Sequence, residues 1–348
     1  MSVRAAIAAA VEGSEVPARV LEAAFEEIID GKASAAQMAG LLIALRCRGE
    51  TVGEIAAAAR ALRGRAVSAP SVDPRAIDTC GTGGDGAETF NISTTAAFAV
   101  AGAGVPVAKH GNRAASSRAG SVDVLEALGV RVDLPVEAAA RVLSKTGIVT
   151  FFARRAHPAM AVLAPVRAEL GVRTLMNCLG PLLNPARVKR QLVGVYSRDL
   201  VEPLAAALGE LGSERALVVH GSDGLDEITT RGATHAALLE GGKLRSFAID
   251  AARLGFPPPL QGALRGGSAQ ENAAIVRALL RGESGARRDI VLINAGAALW
   301  VAGAADDLEP GIELARRSID SGAALERLES LIACSNAIAR ELERDGAR

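Results

Sequence analysis

From Val3 to about Ala66 the apolar positions recur at helical spacing, with alanine and leucine filling the repeating face. Ser34-Ala-Ala-Gln37 and Thr51-Val-Gly-Glu54 both match the capping box, in which side chains at the two ends of a first turn satisfy orphan backbone N–H groups. Gly31 and Gly49 stand where a helix-ending glycine is expected. The pattern predicts a small helical domain over residues 1–66, and Val67 to Pro74, with two prolines and two serines, reads as a linker. Beyond it short apolar runs alternate with helical ones. Strands are expected at Ala76–Cys80, Val105–Ala108, Ile148–Phe152, Gln191–Tyr196, Ala216–His220, Ala236–Leu239 and Ile290–Ile293. Helices are expected at Thr94–Ala103, Val122–Leu128, Val136–Lys145, Ala159–Leu170, Leu200–Leu211 and Ala269–Arg281. Such alternation predicts an α/β fold: a small N-terminal helical domain plus a larger α/β domain, residues 75–348, around a central, mostly parallel sheet.

Composition narrows the partners. The 348 residues carry 39 basic and 39 acidic side chains, and no basic stripe with interleaved aromatics is present, so the expectation is no nucleic acid. No apolar run is long and charge-free enough to cross a bilayer, so no membrane is expected either. Met1 to Pro17 contains Glu12 and Glu15 and lacks the apolar segment of an export signal. Cys47, Cys80, Cys178 and Cys334 are isolated, which suits reduced thiols in a cytoplasmic protein.

Three loops carry candidate chemistry. Asp78-Thr-Cys-Gly81-Thr-Gly-Gly-Asp85-Gly86 follows an expected strand, and Gly81, Gly83 and Gly86 match the spacing of a dinucleotide-binding turn. That reading also needs an acid about 20 residues on to hold a ribose. From Thr89 through Val122 there is no Asp or Glu at all. No Gly-Lys-Ser/Thr closes the loop, so the Walker pattern fails as well. What remains is a plain glycine turn or an anion cradle. The cradle is favoured by Asn91-Ile-Ser-Thr94, which opens an apolar helix: Ser93 or Thr94 can cap it, and its free N–H groups suit a phosphate. The second loop, Lys109 to Ser121, gathers three cations, three serines and an amide, and reads as a solvated basic loop or as a seat for a multiply charged anion. In the third, Asp223-Gly-Leu-Asp226-Glu227 follows another strand. It is a solvated acidic turn or a Mg²⁺ site completed by substrate phosphates. Ligands of open α/β sheets sit beyond the carboxyl ends of the strands, where all three loops could meet.

Taken together, Gly81-Thr-Gly-Gly-Asp85, Thr89-Phe-Asn-Ile-Ser-Thr94, Lys109-His-Gly-Asn-Arg113 with Ser116-Ser117, His157-Pro-Ala-Met160, Pro165-Val-Arg-Ala-Glu-Leu-Gly-Val-Arg173, Asn177-Cys-Leu-Gly-Pro181-Leu-Leu-Asn-Pro185 and Asp223-Gly-Leu-Asp-Glu227 resemble the anthranilate phosphoribosyltransferase family, in its order and over essentially the whole chain. The resemblance implies a nucleoside phosphorylase/phosphoribosyltransferase type of fold. Its helical domain borrows a segment near residues 170–187, its active site lies between the domains, and it forms a homodimer. It implies transfer of the phosphoribosyl group of phosphoribosyl pyrophosphate to anthranilate, with Mg²⁺, two ions being expected. Gly81, Gly84, Asp85, Thr89, Asn91, Ser93, Thr94, Lys109, Ser117 and Ser121 are expected to contact phosphoribosyl pyrophosphate. Ile92, Gly111, Arg113, Ala114, Ala115 and Ser116 complete the substrate-binding surface. Ser93, Asp226 and Glu227 are the expected metal ligands, and Lys109 the electrostatic group. Asn112 and Arg173 are expected on anthranilate, with His110, His157, Met160, Gly180 and Pro181 along its path. Neither histidine is expected to act as a base. Two departures touch the anthranilate side: Arg154 and Arg155 stand where the family commonly has a proline in an apolar stretch, and Met176 where phenylalanine is common.

A pyrimidine nucleoside phosphorylase shares the fold and the Lys-plus-serine loop, but phosphate and a nucleoside need no Asp226-Glu227 pair. A nucleic-acid-binding relative would carry a broadly basic surface, which zero net charge does not encourage.

Overall fold

The computed structural model describes residues 2–70, 72–114 and 118–346. Four helices come first: α1 Ser2–Val11, α2 Ala18–Ile29, α3 Ala35–Arg48 and α4 Val52–Gly64. Both expected capping boxes are formed, at Ser34/Gln37 and Thr51/Glu54. Gly31 and Gly49 take positive φ, 71° and 93°, where these helices end. Glu54 does more than cap: it is fully buried, accepts the Val16 N–H at 2.8 Å and pairs with Arg48.

Strands β1 Ile77–Asp78, β2 Val107–Gly111, β3 Ile148–Phe152, β4 Arg190–Gly194, β5 Arg215–Gly221, β6 Ala233–Glu240 and β7 Lys243–Asp250 form one sheet in the order β3-β2-β1-β4-β5-β6-β7. The first five are mutually parallel, and β6 and β7 extend the sheet antiparallel. The remaining helices are α5 Ile92–Gly102, α6 Ser121–Ala127, α7 Val136–Thr146, α8 Ala153–Ala156, α9 Ala164–Leu170, α10 Val201–Glu210, α11 Ala269–Leu280, α12 Ala286–Ala302, α13 Leu308–Asp320 and α14 Ala323–Gly346.

Both faces of the sheet are covered, and the period of two along β5 divides its side chains between two cores. Leu217 and Val219 join a large core built with α5, α7, α12 and α14. Ala216 and Val218 face a second core with α1–α4, α10 and the segment after α8. Leu163 and Val166, which precede the expected segment at about 170–187, are buried in this second core as well.

Several expectations need correction. Ile290–Ile293 is not a strand but the middle of α12, whose residues from Ile290 to Ala302 are all buried. An apolar run that is buried all round carries no period by which a strand could be told from a helix. The edge strand β7 is not foreseen because its alternation is broken by charge, and most of its residues are exposed. The second strand runs Val107–Gly111, so Lys109 and His110 belong to its end and not to the loop after it. Neither Ser93 nor Thr94 caps α5; the cap position is Asn91, with no side-chain cap bond.

Strand order reverses between β1 and β4, since β2 and β3 lie on one side of this pair and β5 on the other. Such a switch point opens a crevice beyond the carboxyl ends of the two strands.

Candidate active site

A cleft of about 910 Å³ opens at that crevice. Every expected substrate or metal residue within the described range lines it, from Gly81 to Arg173 and the Asp226-Glu227 pair. Ala115, Ser116 and Ser117 lie outside the described residues. His157, Met160 and Gly180 are also on the wall. Pro181 is not: it is buried behind the wall, where its carbonyl accepts the Gln191 amide at 2.8 Å.

The glycine loop is pinned by backbone contacts that only glycine permits. Thr82 N–H donates to the Gly194 carbonyl at 2.8 Å, at the end of β4. A Cβ on Gly81 would stand 2.6 Å from the Asp226 carboxylate. Gly83, Gly84 and Gly86 have φ of 66°, 76° and 76°, so the turn runs through the left-handed region.

The acid pair closes on this loop. Asp226 accepts the Gly83 N–H at 2.7 Å, and Glu227 accepts the Ser93 N–H at 3.0 Å, on the first turn of α5. Burial, and then the neighbouring carboxylates, push both acids above their ordinary range; Asp85 is the charged neighbour of Asp226, and Asp226 that of Glu227. Asp223 turns away, into a bond with Thr229 at 2.8 Å. Acids crowded with so little cation suit a bound divalent ion. Among the described residues no three His, Cys, Asp or Glu side chains form a closed metal cage. Two carboxylates completed by water and substrate phosphates are the usual environment of Mg²⁺.

Lys109 is buried, and its ammonium donates to the Thr79 carbonyl and to Ser93 Oγ at 3.3 Å. Nothing in the sequence signals this anchoring. Asp78 is fully buried on β1, accepting the His110 N–H at 3.1 Å and the Asn184 amide at 2.7 Å, and its charge lies close enough to Lys109 to offset part of the burial that raises its pKa. Asn91 holds the start of α5 through Ala119 at 3.2 Å and Asn272 at 2.8 Å. Asn272 also lines the cleft, and nothing in its local sequence marks it.

The cations divide differently from expectation. Arg113 reaches the cleft edge, but its guanidinium is paired with Asp123 at 3.0 Å and Glu126 at 2.6 Å. The acids that balance the basic loop therefore sit just past its end, on α6. Arg155 points out to Asp133 at 2.6 Å, while Arg154 lines the cleft. Arg173 donates to the Gly84 carbonyl and lies over the Tyr196 ring, 4.3 Å from its centroid. Arg167, on α9, lines the cleft without a hydrogen-bond or ion-pair partner among the described residues, and burial lowers its pKa. It is a site residue that the sequence reading leaves out, although it shares a motif with Arg173.

His110 and His157 pack edge to face at 5.2 Å. His110 Nδ1 meets the Gly180 carbonyl at 3.0 Å, whereas His110 Nε2 is buried without a partner among the described residues, and both nitrogens of His157 are buried with the Leu183 backbone near enough to act on the ring. Burial depresses their pKa values to about 3 and about 4, so both are neutral at pH 7.

A helical body beside a switched α/β sheet, with a glycine loop and an acid pair in the cleft, is an arrangement suited to a glycosyl-transferring enzyme. Two family models agree: the helical bundle domain of the glycosyl transferase family matches residues 4–66, and its a/b domain matches residues 73–325. An anthranilate phosphoribosyltransferase from Moorella thermoacetica is 52% identical over 95% of this chain and 97% of its own. The crystal structure of anthranilate phosphoribosyltransferase from Thermus thermophilus superposes with a TM-score of 0.90 at 44% identity, covering 95% of this chain and 99% of that one. The Saccharomyces cerevisiae enzyme, solved in complex with PRPP and Mg, gives a TM-score of 0.84 at 28% identity over 92% of this chain and 94% of its own. The chain belongs to the anthranilate phosphoribosyltransferase family.

Proposed function

We propose that this chain transfers the phosphoribosyl group of 5-phospho-α-D-ribose 1-diphosphate to the amino group of anthranilate, giving N-(5-phosphoribosyl)anthranilate and diphosphate, in tryptophan biosynthesis. The observation that carries this reading is the meeting of the glycine loop, the first turn of α5 and the Asp226-Glu227 pair at one switch point. A nucleoside phosphorylase would have no use for the acid pair, and a nucleic-acid binder would need a broadly basic surface, which equal numbers of basic and acidic side chains do not supply.

The bond from the anomeric carbon to diphosphate breaks as the amine nitrogen bonds to that carbon, and the amine proton leaves to solvent. Charge grows on the departing diphosphate. Lys109 and the N–H groups of Gly84 and Asp85, which carry no partner among the described residues, are the groups we assign to it, and fixed donors are worth more in a cleft than in water. Asp226, Glu227 and Ser93 are the groups we assign to Mg²⁺, with two ions proposed; a bound ion supplies charge neutralisation at the phosphates. An aromatic amine is a nucleophile at neutral pH, so neutral His110 and His157 need only shape the acceptor's path. Asn112 is proposed on the acceptor, and the unpartnered Arg167 suits its carboxylate better than Arg173, whose guanidinium is already engaged.

We also propose a division into residues 1–66 with about 170–187, and 75–348, and a homodimer formed through the helices of residues 3–66, to be tested by light scattering. A cytoplasmic location is proposed from the four free cysteines; no helix among the described residues is long and apolar enough to cross a membrane.

Loss of anthranilate fluorescence on mixing with phosphoribosyl pyrophosphate and Mg²⁺ tests the reaction. Fluorescence that persists with both the co-substrate and the metal present would overturn it.

A further inference from the structure

Three consecutive residues of the glycine loop are tied by three different parts of the fold. Gly83 N–H goes to Asp226 at 2.7 Å. The Thr82 hydroxyl accepts the Tyr196 N–H at 3.0 Å, just beyond β4. The Gly84 carbonyl accepts the Arg173 guanidinium, and that guanidinium rests on the ring of the same Tyr196 at 4.3 Å. Thr82, Tyr196, Arg173 and Gly84 thus form a closed ring of contacts. One side of the ring is the α/β body. The other is the segment after α9, whose Leu175 and Met176 are buried in the helical body's core.

We propose that Arg173 is a positioning residue for the diphosphate end of the cleft, acting through the Gly84 carbonyl with Tyr196 as its brace. The physical argument rests on the peptide unit. Gly83 and Gly84 have φ of 66° and 76° and no side chains, so the loop has more backbone freedom to lose than a turn built of residues with side chains. Holding the Gly84 carbonyl fixes the plane of the Gly84–Asp85 peptide. In a trans peptide the Asp85 N–H then points the opposite way, away from Arg173. Arg173 therefore sets the direction of a loop donor without touching an anion itself. A guanidinium flat on an aromatic face keeps its fork oriented, which a lysine ammonium could not do. Tyr196 is the chain's single tyrosine, and burial raises its pKa, so the brace stays a neutral ring at physiological pH.

This inference rests on the phosphoribosyl-transfer reading for its kinetic consequence but not for its structural one, and the test separates the two. In Arg173→Ala the half-saturating phosphoribosyl pyrophosphate concentration rises about tenfold, as expected when the released loop holds its donor in the competent direction only about a tenth of the time, while that for anthranilate stays within about twofold. Hydrogen exchange at the amides of residues 82–86 accelerates in the ligand-free protein, a readout that needs no turnover. Tyr196→Ala reproduces part of both effects, and Tyr196→Phe, which retains the ring, rescues them. The double variant Arg173→Ala/Tyr196→Ala is no worse than Arg173→Ala alone. Should Arg173→Ala fold poorly, the Tyr196 pair carries the test. A rise in the anthranilate constant alone would make Arg173 an acceptor clamp and overturn the proposal. Unchanged amide exchange in Arg173→Ala or Tyr196→Ala, or additive losses in the double variant, would overturn it as well.

Discussion

Gly194 at the end of β4 packs directly against the Asp226 backbone, and a single methyl group there tests how the acid pair is placed. A Cβ on Gly194 would lie 1.5 Å from the Asp226 carbonyl oxygen and 2.3 Å from its carbonyl carbon. Real Cβ atoms essentially never approach other heavy atoms within 3.0 Å, so one side must retreat by about as much again as the gap it now has. Backbone meets backbone here, and no side chain can rotate out of the way. The φ of Gly194 is not in the left-handed region, so the cost of Gly194→Ala comes from this clash and not from its own conformation. Moving Asp226 by that amount stretches its 2.7 Å bond to Gly83 beyond hydrogen-bonding range and drags Glu227 from Ser93. Overpacking costs about 1–3 kcal/mol, and each lost bond to a charged group about 1.5–3 kcal/mol. A displacement of about 1 Å within a reacting constellation costs on the order of a hundredfold in rate. The expected outcome is a folded protein by circular dichroism, with kcat down about a hundredfold and the Mg²⁺ requirement raised at least about tenfold. Initial rates from anthranilate fluorescence across a Mg²⁺ titration measure both. Gly64→Ala is the control, since its Cβ would meet nothing within 4 Å and its φ is ordinary. Wild-type kcat and Mg²⁺ dependence in Gly194→Ala would refute the assignment of Asp226 to the site.

Other residues give further outcomes. Arg167→Ala should raise the anthranilate constant by roughly tenfold to a hundredfold and leave that for phosphoribosyl pyrophosphate nearly unchanged; equal losses for both substrates count against the carboxylate contact. His110 and His157 have folded pKa values depressed to about 3 and about 4 from an ordinary 6.5. The unfolded chain therefore binds more protons below pH 6.5, so stability is full above that pH and falls as the pH drops towards 4 and then 3, by on the order of 1.4 kcal/mol per pH unit for each histidine. Urea titrations at pH 7 and pH 5 on the wild type and on His110→Gln/His157→Gln measure this, because the difference between the two proteins cancels the opposite pH dependence of the raised acids Asp226 and Glu227, and an equal pH effect in both contradicts burial of neutral imidazoles. Asp78→Asn cannot accept from both the His110 N–H and the Asn184 amide, and should cost about 1–3 kcal/mol. It should also lower kcat through Lys109; normal activity with normal stability would remove Asp78 from the account.

The glycine loop is legible in the sequence because its conformation is local. Residues 81–86 must be mostly glycine for the backbone to turn left-handed against Asp226 and Gly194, and a glycine cluster after an apolar run is visible without any knowledge of the fold. The capping boxes at Ser34 and Thr51 are legible for the same reason, since all their groups lie within one turn. What cannot be read depends on phase and on distant partners. Arg167 and Arg173 stand in one motif, and only the end of α9 at Gly171, φ 60°, turns the second away to Tyr196 and Gly84 while the first stays on the cleft wall. Arg113 looks like a free cation because Asp123 and Glu126, which neutralise it, belong to the next helix. Asn272 reaches Asn91 across about half of the chain's length, and Ile290–Ile293 shows no helical period because it is buried on all sides.

The hydrogen bonds of the site also explain why anion and cation should bind together. The Gly83 and Ser93 N–H groups are the donors that a glycine loop and a helix N-terminus offer to phosphate. Here Asp226 and Glu227 accept from both of them, at 2.7 and 3.0 Å. Acids and donors thus satisfy one another, but burial first, and then the neighbouring carboxylates (Asp85 beside Asp226, Asp226 beside Glu227), raise both pKa values. A phosphate arriving alone would compete with these carboxylates for the same N–H groups and meet their repulsion. A cation arriving alone would draw the acids away and leave donors without acceptors. Arriving together, the two would replace the lost contacts under the proposed assignment: Asp226 and Glu227 would hold the cation, and the Gly83 and Ser93 N–H groups would be free to donate to phosphate oxygens. Because linkage is reciprocal, each ligand must tighten the other by the same factor. That coupling is built into the backbone geometry around Gly81 and Gly194, where no side chain larger than hydrogen leaves room for the acids to approach the loop.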